Sequence, residues 1–144
     1  MNIILAIKPE FANAILDGIK NAELRRRVPV QLLPGDTIFL YHSGHIHGHV
    51  TFAGLNVPPP PGQLYERWLK YIAVPAAIGR NEARLYLDGA SYPCALLLRY
   101  PVKYPTPHKY AHTPPQSFIY TPMQPTIRHP QLDNYLLYLK THSH

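Results

Sequence analysis

The chain begins with an uninterrupted apolar run, followed by a segment in which apolar side chains return every four residues. Residues 3–7 (IILAI) are apolar throughout, which predicts a central β-strand covered on both faces. Phe11 and Ile15 then lie four residues apart, as on one face of a helix. Pro9 suits the first position of this helix because proline lacks the N–H that a first turn leaves unpaired, and Gly18 suits its end. The pattern therefore predicts a strand and then an amphipathic helix.

The period of the pattern changes from four to two over residues 21–27. Ala22 and Leu24 alternate there with three charged side chains, so a β-strand would place the apolar and the charged groups on opposite faces. The charged residues are Glu23, Arg25 and Arg27. Side chains on one face of a strand are separated by about 6.6 Å, close to the spacing of successive phosphates. The charged face is therefore predicted to contact a ligand; the alternative is a solvated edge strand that carries a run of charge.

Three further segments have the length and composition of strands: residues 37–41, 46–55 and 95–100. In the second of them, His47 and His49 alternate with apolar residues, which predicts a half-buried strand. Prolines at positions 101, 105, 107, 114 and 115 predict that residues 100–115 form a loop with short extended pieces, because proline cannot donate a hydrogen bond to a sheet.

Helical spacing returns after the proline run at residues 58–61, which is itself predicted to cross the surface in an extended form. Leu64, Trp68 and either Tyr71 or Ile72 mark the apolar face of one predicted helix. A shorter helix is predicted between Asn81 as its cap and Gly89 as its stop.

The length of the chain predicts one domain with an additional helix at its end. Its 144 residues suffice for a single hydrophobic core. Residues 130–140 have apolar side chains at helical spacing, which predicts a helix packed on the domain, and residues 141–144 are predicted to be frayed. We therefore expect a domain over residues 1–121 and a helical extension over residues 122–144.

The charge of the chain indicates an anionic partner. The formal net charge is +6 and the pI is about 9.5. Between Asp88 and Asp133 there is no acidic residue, although four basic ones occur. A net positive charge of this size is typical of proteins that bind nucleic acids, although charge by itself does not select the ligand.

Other features of the composition exclude several classes of protein. The single cysteine, Cys94, excludes a disulfide within the chain and any zinc site that needs several cysteines. The first apolar run, residues 3–7, is too short for a signal peptide or a membrane span. We therefore expect a cytoplasmic protein that does not contact a membrane.

Four histidines between positions 42 and 49 are the candidate metal ligands. His47 and His49 would share one face of a strand and could bind an ion through neutral imidazoles. The nearest upstream carboxylate is Asp36, however, and no cysteine is near, so an exposed polar strand face is the favoured interpretation. Because no glycine-rich phosphate loop occurs either, we predict no metal and no cofactor.

The basic stretch contains the parts of a nucleotide or RNA site. Arginines can bind phosphate with paired hydrogen bonds, aromatic rings can stack on bases, and a carboxylate can accept from an exocyclic amino group. If Lys20 were buried between arginines its pKa would fall, and it could act as a base or nucleophile. The alternative, a solvated lysine at a helix end, is the interpretation that the sequence favours.

Several motifs in this order resemble the ASCH domain family of the PUA-like superfamily. They are Ile7-Lys8-Pro9-Glu10-Phe11-Ala12, Ile15-Leu16-Asp17-Gly18-Ile19-Lys20 and Glu23-Leu24-Arg25-Arg26-Arg27, followed by Gly35-Asp36 and Pro115-Gln116-Ser117-Phe118. Together they extend over most of residues 3–121. The resemblance implies an α+β fold, with a small β-barrel of about five or six strands flanked by helices.

The resemblance also implies a basic cleft that binds RNA or a modified nucleoside or nucleotide, with a role in RNA metabolism or regulation. The ligand-binding residues would be Lys8, Arg25, Arg27, Tyr41, Ser43, Gln116 and Phe118. Some members of the family resemble ribonucleases or amidohydrolases acting on acetylated cytidine. If this chain is such a hydrolase, Lys20, Glu23 and Ser117 would be catalytic. The amidohydrolases usually have threonine three residues after the lysine, whereas this chain has Glu23, a difference that argues against deacetylation.

Overall fold

The computed structural model of the protein describes residues 1–142, which form six strands and four helices. The strands are β1 (Asn2–Ala6), β2 (Ala22–Arg25), β3 (Thr37–His42), β4 (His45–Asn56), β5 (Cys94–Lys109) and β6 (Phe118–Thr121). The helices are α1 (Pro9–Leu16), α2 (Gln63–Ala76), α3 (Arg80–Leu87) and α4 (Leu132–His142). None of these helices has both the length and the apolar character that crossing a membrane requires.

All six strands join one sheet, in the order β2-β5-β4-β3-β1-β6. The β1–β3 pair is parallel, whereas the other neighbouring strands are antiparallel. The sheet curls around the main hydrophobic core, to which strands from both halves of the order contribute Ile3, Leu40, Val50 and Leu96. The fold is therefore an α+β half-barrel with flanking helices, which confirms the small barrel of about five or six strands that the resemblance to the ASCH family implies.

The sequence pattern explains the first three elements of the fold. Ile3 and Leu5 of β1 are fully buried, as expected for an apolar strand with neighbours on both sides. Helix α1 begins at Pro9 and covers one end of the core with Ile15. At Gly18 the chain adopts a φ of 79°, a left-handed conformation that suits glycine, and turns toward β2.

Strand β2 packs its apolar side against a second cluster rather than against the main core. Ala22 and Leu24 contact Leu69 and Ile72 of α2 and Leu87 of α3 within this cluster. Helices α2 and α3 thus lie beside β2, and α3 also reaches the charged side of that strand. In α2 the predicted face is buried at Ile72 and half-buried at Trp68, but Leu64 is exposed.

Residues 100–115 are predicted to be a loop with short extended pieces, but β5 continues as one long strand to Lys109, so this prediction is wrong for most of its length. Val102 and Lys103 still pair with β4. Pro105 and Pro107 fall where the register between β5 and β4 shifts. On the other side β2 pairs with β5 only as far as Leu97. Within residues 1–142 the distal part of β5 is therefore an edge, where the missing proline N–H groups cost little.

Strand β4 is not the half-buried strand that alternation predicts. His49 and Thr51 are 1% and 2% exposed, so the polar face is buried at these two positions, whereas His47 is half-buried. Tyr104 and Val102, from the distal part of β5, belong to a third cluster with Phe39, and the rings of Tyr104 and Phe39 pack against His49. The unexpected length of β5 therefore explains the burial of His49.

The C-terminal helix α4 packs on the body of the fold through Leu132 and Tyr135. A Cβ atom added to Gly35 would lie 3.0 Å from Leu136 Cδ2, so α4 also contacts the turn before β3. Contrary to the predicted fraying, Thr141 and His142 are helical. The other two residues of that prediction, 143 and 144, lie outside the described residues.

A close approach at Gly48, on β4, provides a test of this packing. A Cβ atom at Gly48 would clash with the carbonyl oxygen of Val102 and lie 2.7 Å from Leu16 Cδ2. We expect Gly48→Ala to lower the free energy of unfolding by about 1–3 kcal/mol, measured by urea denaturation. Gly79→Ala is the control, since no atom lies within 4 Å of its added Cβ. Equal, small losses in both variants would contradict the packing of α1 against β4.

Candidate functional site

A cleft of about 560 Å³ lies between the start of α1, strand β2 and helix α3. The elements meet there because β2 follows α1 after a short turn and α3 packs beside β2. The polar and aromatic groups of its lining are Lys8, Phe11, Lys20, Glu23, Arg25, Glu82 and Tyr86. Of the residues that the sequence nominates, Lys8, Lys20, Glu23 and Arg25 are thus brought together.

Glu23 lies between two cations on the charged side of β2. Its Oε1 atom is 3.3 Å from Lys20 Nζ, and its Oε2 atom accepts hydrogen bonds from Arg25 Nη2 at 2.8 Å and Arg25 Nε at 3.1 Å. Glu23 is only 6% exposed. Both carboxylate oxygens are therefore held in fixed positions by charged donors.

Lys20 is buried, not solvated as the sequence favours. It is 3% exposed, and its Nζ donates to the carbonyl oxygen of Ala76 at 2.5 Å. The ammonium group also lies over the ring of Phe11, 5.1 Å from the centroid. Burial lowers the pKa of Lys20, and the neighbouring carboxylate of Glu23 only partly opposes this shift. The cleft therefore contains an amine that loses its proton more readily than a surface lysine.

The burial of Lys20 follows from the end of α2. Ala77 adopts a left-handed conformation with φ 55°, and the helix ends there. The carbonyl oxygen of Ala76 accepts from Lys20, and that of Pro75 accepts from the backbone N–H of Asn21. A cation at the C-terminal end of a helix is stabilised by the partial negative charge of the carbonyls.

Arg25 connects β2 to the end of β1. Besides contacting Glu23, its Nη2 atom donates to the carbonyl oxygen of Ala6 at 2.9 Å. Its Nη1 atom has no hydrogen-bond partner among residues 1–142. Since the side chain lines the cleft and is 11% exposed, this remaining edge of the guanidinium can bind an anion.

Helix α3 supplies cleft residues that the sequence analysis does not nominate. Glu82 and Tyr86 lie one helical turn apart on α3 and both line the cleft. Arg26 attaches the end of α3 to β2, because its Nη1 atom donates to the carbonyl oxygens of Tyr86 and Asp88 at 2.6 and 2.7 Å. Glu82 and Tyr86 are four residues apart, a spacing that indicates a shared helix face, but no feature of the sequence shows that this face meets β2.

Six of the predicted residues do not line the cleft: Arg27, Tyr41, Ser43, Gln116, Ser117 and Phe118. Strand β2 ends at Arg25, so Arg27 leaves the predicted row and its guanidinium lies over the ring of Phe118, 4.5 Å from the centroid. The ring of Phe118 is itself 8% exposed and belongs to the core.

The other four of these residues place no side chain in the cleft, although the backbones of two of them contact residues that line it. The carbonyl oxygen of Ser117 accepts from the N–H of Ala6 at 2.8 Å, and that of Tyr41 accepts from Ile7 at 3.0 Å. Gln116, next to Ser117, is exposed. Ser43 lies in the β3–β4 turn with a φ of 53°. Their side chains are therefore placed outside the cleft by strand pairing and turn geometry.

The histidines of the β3–β4 hairpin form ring contacts with one another. The rings of His42 and His47 stack with centroids 3.6 Å apart, and His45 packs edge-on against His47. His49 lies apart from them, and its Nδ1 atom is 2.8 Å from the hydroxyl of Tyr104. The described residues contain no group of three or more histidine, cysteine, aspartate or glutamate side chains that could hold a metal ion. The favoured prediction of an exposed polar face is wrong for His49, which is buried.

Comparison with known proteins identifies relatives of this chain. A stretch of 96 residues is 31% identical to an ASCH domain-containing ribonuclease of Zymomonas mobilis subsp. mobilis; it represents 67% of this chain and 63% of the relative. The chain thus spans less than two thirds of that protein's length. No protein-family model matches the sequence.

Solved structures share the fold. ASCH from Zymomonas mobilis superposes with a TM-score of 0.66 at 23% identity, over 96% of this chain and 94% of that one. A tyrosine-to-phenylalanine variant of the same protein gives a TM-score of 0.68 at 22% identity, over 96% and 97% of the two chains. A protein from Pyrococcus furiosus gives a TM-score of 0.50 at 19% identity, over 72% and 100%. At identities this low, the superpositions establish a similarity of fold alone.

The buried His49 predicts a loss of stability in acid. Burial lowers its pKa to about 4, whereas the unfolded chain titrates near 6.5. Because the unfolded state then binds the proton more tightly, His49 stabilises the fold above pH 6.5, and this contribution is lost as the pH falls toward 4. Between pH 7.5 and 4.5 we expect it to reduce the free energy of unfolding by about 2–3 kcal/mol.

Urea denaturation at the two pH values measures this loss. His49→Gln should reduce the difference between pH 7.5 and 4.5, whereas His45→Gln, at the hairpin turn, should retain it. If His49→Gln kept the full pH dependence of the original protein, burial of His49 would not be its cause.

Proposed function

This chain belongs to the ASCH domain family, and on that premise we propose that it binds single-stranded RNA, or a nucleotide derived from it, in the cleft between α1, β2 and α3. The observation that carries the proposal is the Nη1 edge of the Arg25 guanidinium, which has no hydrogen-bond partner among residues 1–142 and lies at the cleft that Lys8 also lines. Both groups suit the phosphate of a nucleotide.

The charge of the cleft favours an anion over a cation. Lys8, Lys20 and Arg25 outnumber the two carboxylates, and Glu23 is already neutralised by its two cationic neighbours. Within residues 1–142 Lys8 makes no ion pair, so its charge is available to a ligand. A phosphate near Lys8 and Arg25 would therefore meet net positive charge.

The size and walls of the cleft suit a base. Its volume of about 560 Å³ lies within the range of roughly 300–1,000 Å³ typical of small-ligand sites. Tyr86, which is 41% exposed, and Phe11 present aromatic surface on which a base can stack. Stacking tolerates any base, so this part of the site favours binding without strong sequence preference.

Hydrolysis of RNA is the second candidate function, and Lys20 is the observation that favours it. Burial lowers the pKa of this amine and so favours the unprotonated form, which could accept a proton from a ribose hydroxyl. Glu23 would hold the amine in place. The relative of similar sequence from Zymomonas mobilis is named a ribonuclease. Ser117 has no role in this proposal because its side chain does not line the cleft.

RNA binding is tested by removing the Arg25 charge. We expect Arg25→Gln to weaken binding of a fluorescent single-stranded RNA 12-mer, measured by anisotropy over a range of salt. The slope of log affinity against log salt should fall by about 0.7 for the lost phosphate contact. Arg67→Gln, on the exposed side of α2, makes the same charge change outside the cleft and should bind like the original protein.

Two results would count against RNA binding in the cleft. One is an affinity that does not change with salt. The other is complete competition by heparin at matched charge, which would indicate a surface that attracts any polyanion rather than an RNA site.

The hydrolase candidate is tested with two variants of Lys20. Lys20→Ala removes the amine, whereas Lys20→Arg keeps the positive charge but cannot lose its proton at ordinary pH. We expect both to lose cleavage of labelled RNA, and Lys20→Arg to retain RNA binding; thermal unfolding checks that both are folded. Cleavage at the original rate in either folded variant would remove Lys20 from the reaction.

A further inference from the structure

A second groove, of about 650 Å³, lies between helix α4 and strands β4 and β5. It shares no lining residue with the cleft. Its polar and aromatic lining consists of Arg99, Tyr100, Gln131, Asn134, Tyr135 and Tyr138. One arginine, two amides and three phenol rings therefore converge on a groove to which the proposed function assigns no role.

Within the described residues, three polar side chains of this groove have no hydrogen-bond partner. Among residues 1–142, the Arg99 guanidinium makes no hydrogen bond and no ion pair, and it lies over the ring of Tyr135, 5.8 Å from the centroid. The side-chain amides of Gln131 and Asn134 likewise make no hydrogen bond within that part of the chain. By contrast, the guanidinium of Arg84 is fully engaged with Glu66 and Asn81. The donors of the groove are therefore available to a ligand.

The aromatic groups of the groove are held in place at one end and exposed at the other. Tyr100 packs against His129 and Tyr135, with centroids 5.2 and 5.3 Å away. It does so with a φ of 57°, a left-handed conformation that is unfavourable for tyrosine and that occurs where the surrounding structure imposes it. Tyr138 is 56% exposed and stacks on His142 at 4.1 Å. The groove thus combines a fixed aromatic wall with an open ring.

The local charge is positive. No acidic residue occurs between Asp88 and Asp133, so the chain around Arg99 contributes only basic groups. Asp133 adjoins Asn134 in α4, but its Oδ1 atom pairs with Arg128 at 2.8 Å. This region therefore supplies no carboxylate that would compete with a ligand for Arg99.

We propose that this groove is a second contact site for single-stranded RNA, in which Arg99 binds a backbone phosphate and Tyr138 stacks on a base. Gln131 and Asn134 would donate to, and accept from, the edge of that base. The combination of a guanidinium with exposed aromatic rings is the one by which proteins hold single strands. The proposal rests on the proposed function, since it concerns the same RNA, and it assigns that RNA a path beyond the cleft.

Matched substitutions separate the groove from the rest of the surface. Arg99→Gln is compared with Arg67→Gln, and Tyr138→Ala with Tyr71→Ala, whose ring is 71% exposed on α2 and lines neither groove nor cleft. The probe is the single-stranded RNA 12-mer, with affinity measured by anisotropy at several salt concentrations. We expect Arg99→Gln to lower the salt slope by about 0.7 and Tyr138→Ala to weaken binding roughly 5-fold or more. Neither control should change either quantity.

The results distinguish failure of this inference from failure of the proposed function. If Arg25→Gln weakens binding but Arg99→Gln and Tyr138→Ala match their controls, the groove is not an RNA site and the cleft remains one. If the groove variants weaken binding and Arg25→Gln does not, the groove is the RNA site and the cleft assignment is overturned. If the original protein does not bind the 12-mer, both are overturned.

Discussion

The carboxylate of Glu23 is the interaction on which this structure most depends. Through Lys20 it reaches the end of α2, and through Arg25 it reaches the end of β1. Glu23 and Lys20 are almost completely buried, so each charge is tolerable only because the others are present. Removing one member of such a buried group leaves the rest uncompensated, at a cost on the order of 3–5 kcal/mol. The same three side chains line the cleft, so the groups that connect the secondary structure are also those that a ligand would meet.

This double use explains why Lys20 is difficult to assign to a single role. As an anchor it donates to the C-terminal end of α2, where a cation is favoured. As a chemical group it is buried enough for its pKa to fall, and a lysine with a lowered pKa is suited to proton transfer. Both properties arise from the same burial, because withdrawal from water restricts the amine to protein partners and also disfavours its charge.

The sequence predicts the first part of the fold well, because β1, α1 and β2 have local periodicity that matches their surroundings. It fails where long-range packing decides. Alternation in β4 predicts a solvent-exposed face, but the distal half of β5 covers His49. The prolines of that half make it resemble a loop when only the local sequence is considered. Within the cleft, the contribution of β2 is predictable from its charged residues. The contribution of Glu82 and Tyr86 is not, because their position depends on how α3 packs against β2, a contact between residues about 60 positions apart.

The prolines of β5 also have a consequence for association between chains. The distal half of this strand is an edge among the described residues, because β2 pairs only with the first four residues of β5. An unpaired edge can recruit a strand from another molecule. Pro101, Pro105 and Pro107 remove three N–H donors along this segment and interrupt any continuous ladder that a second chain could form. The prolines that make β5 difficult to predict as a strand thus also protect its exposed edge from aggregation.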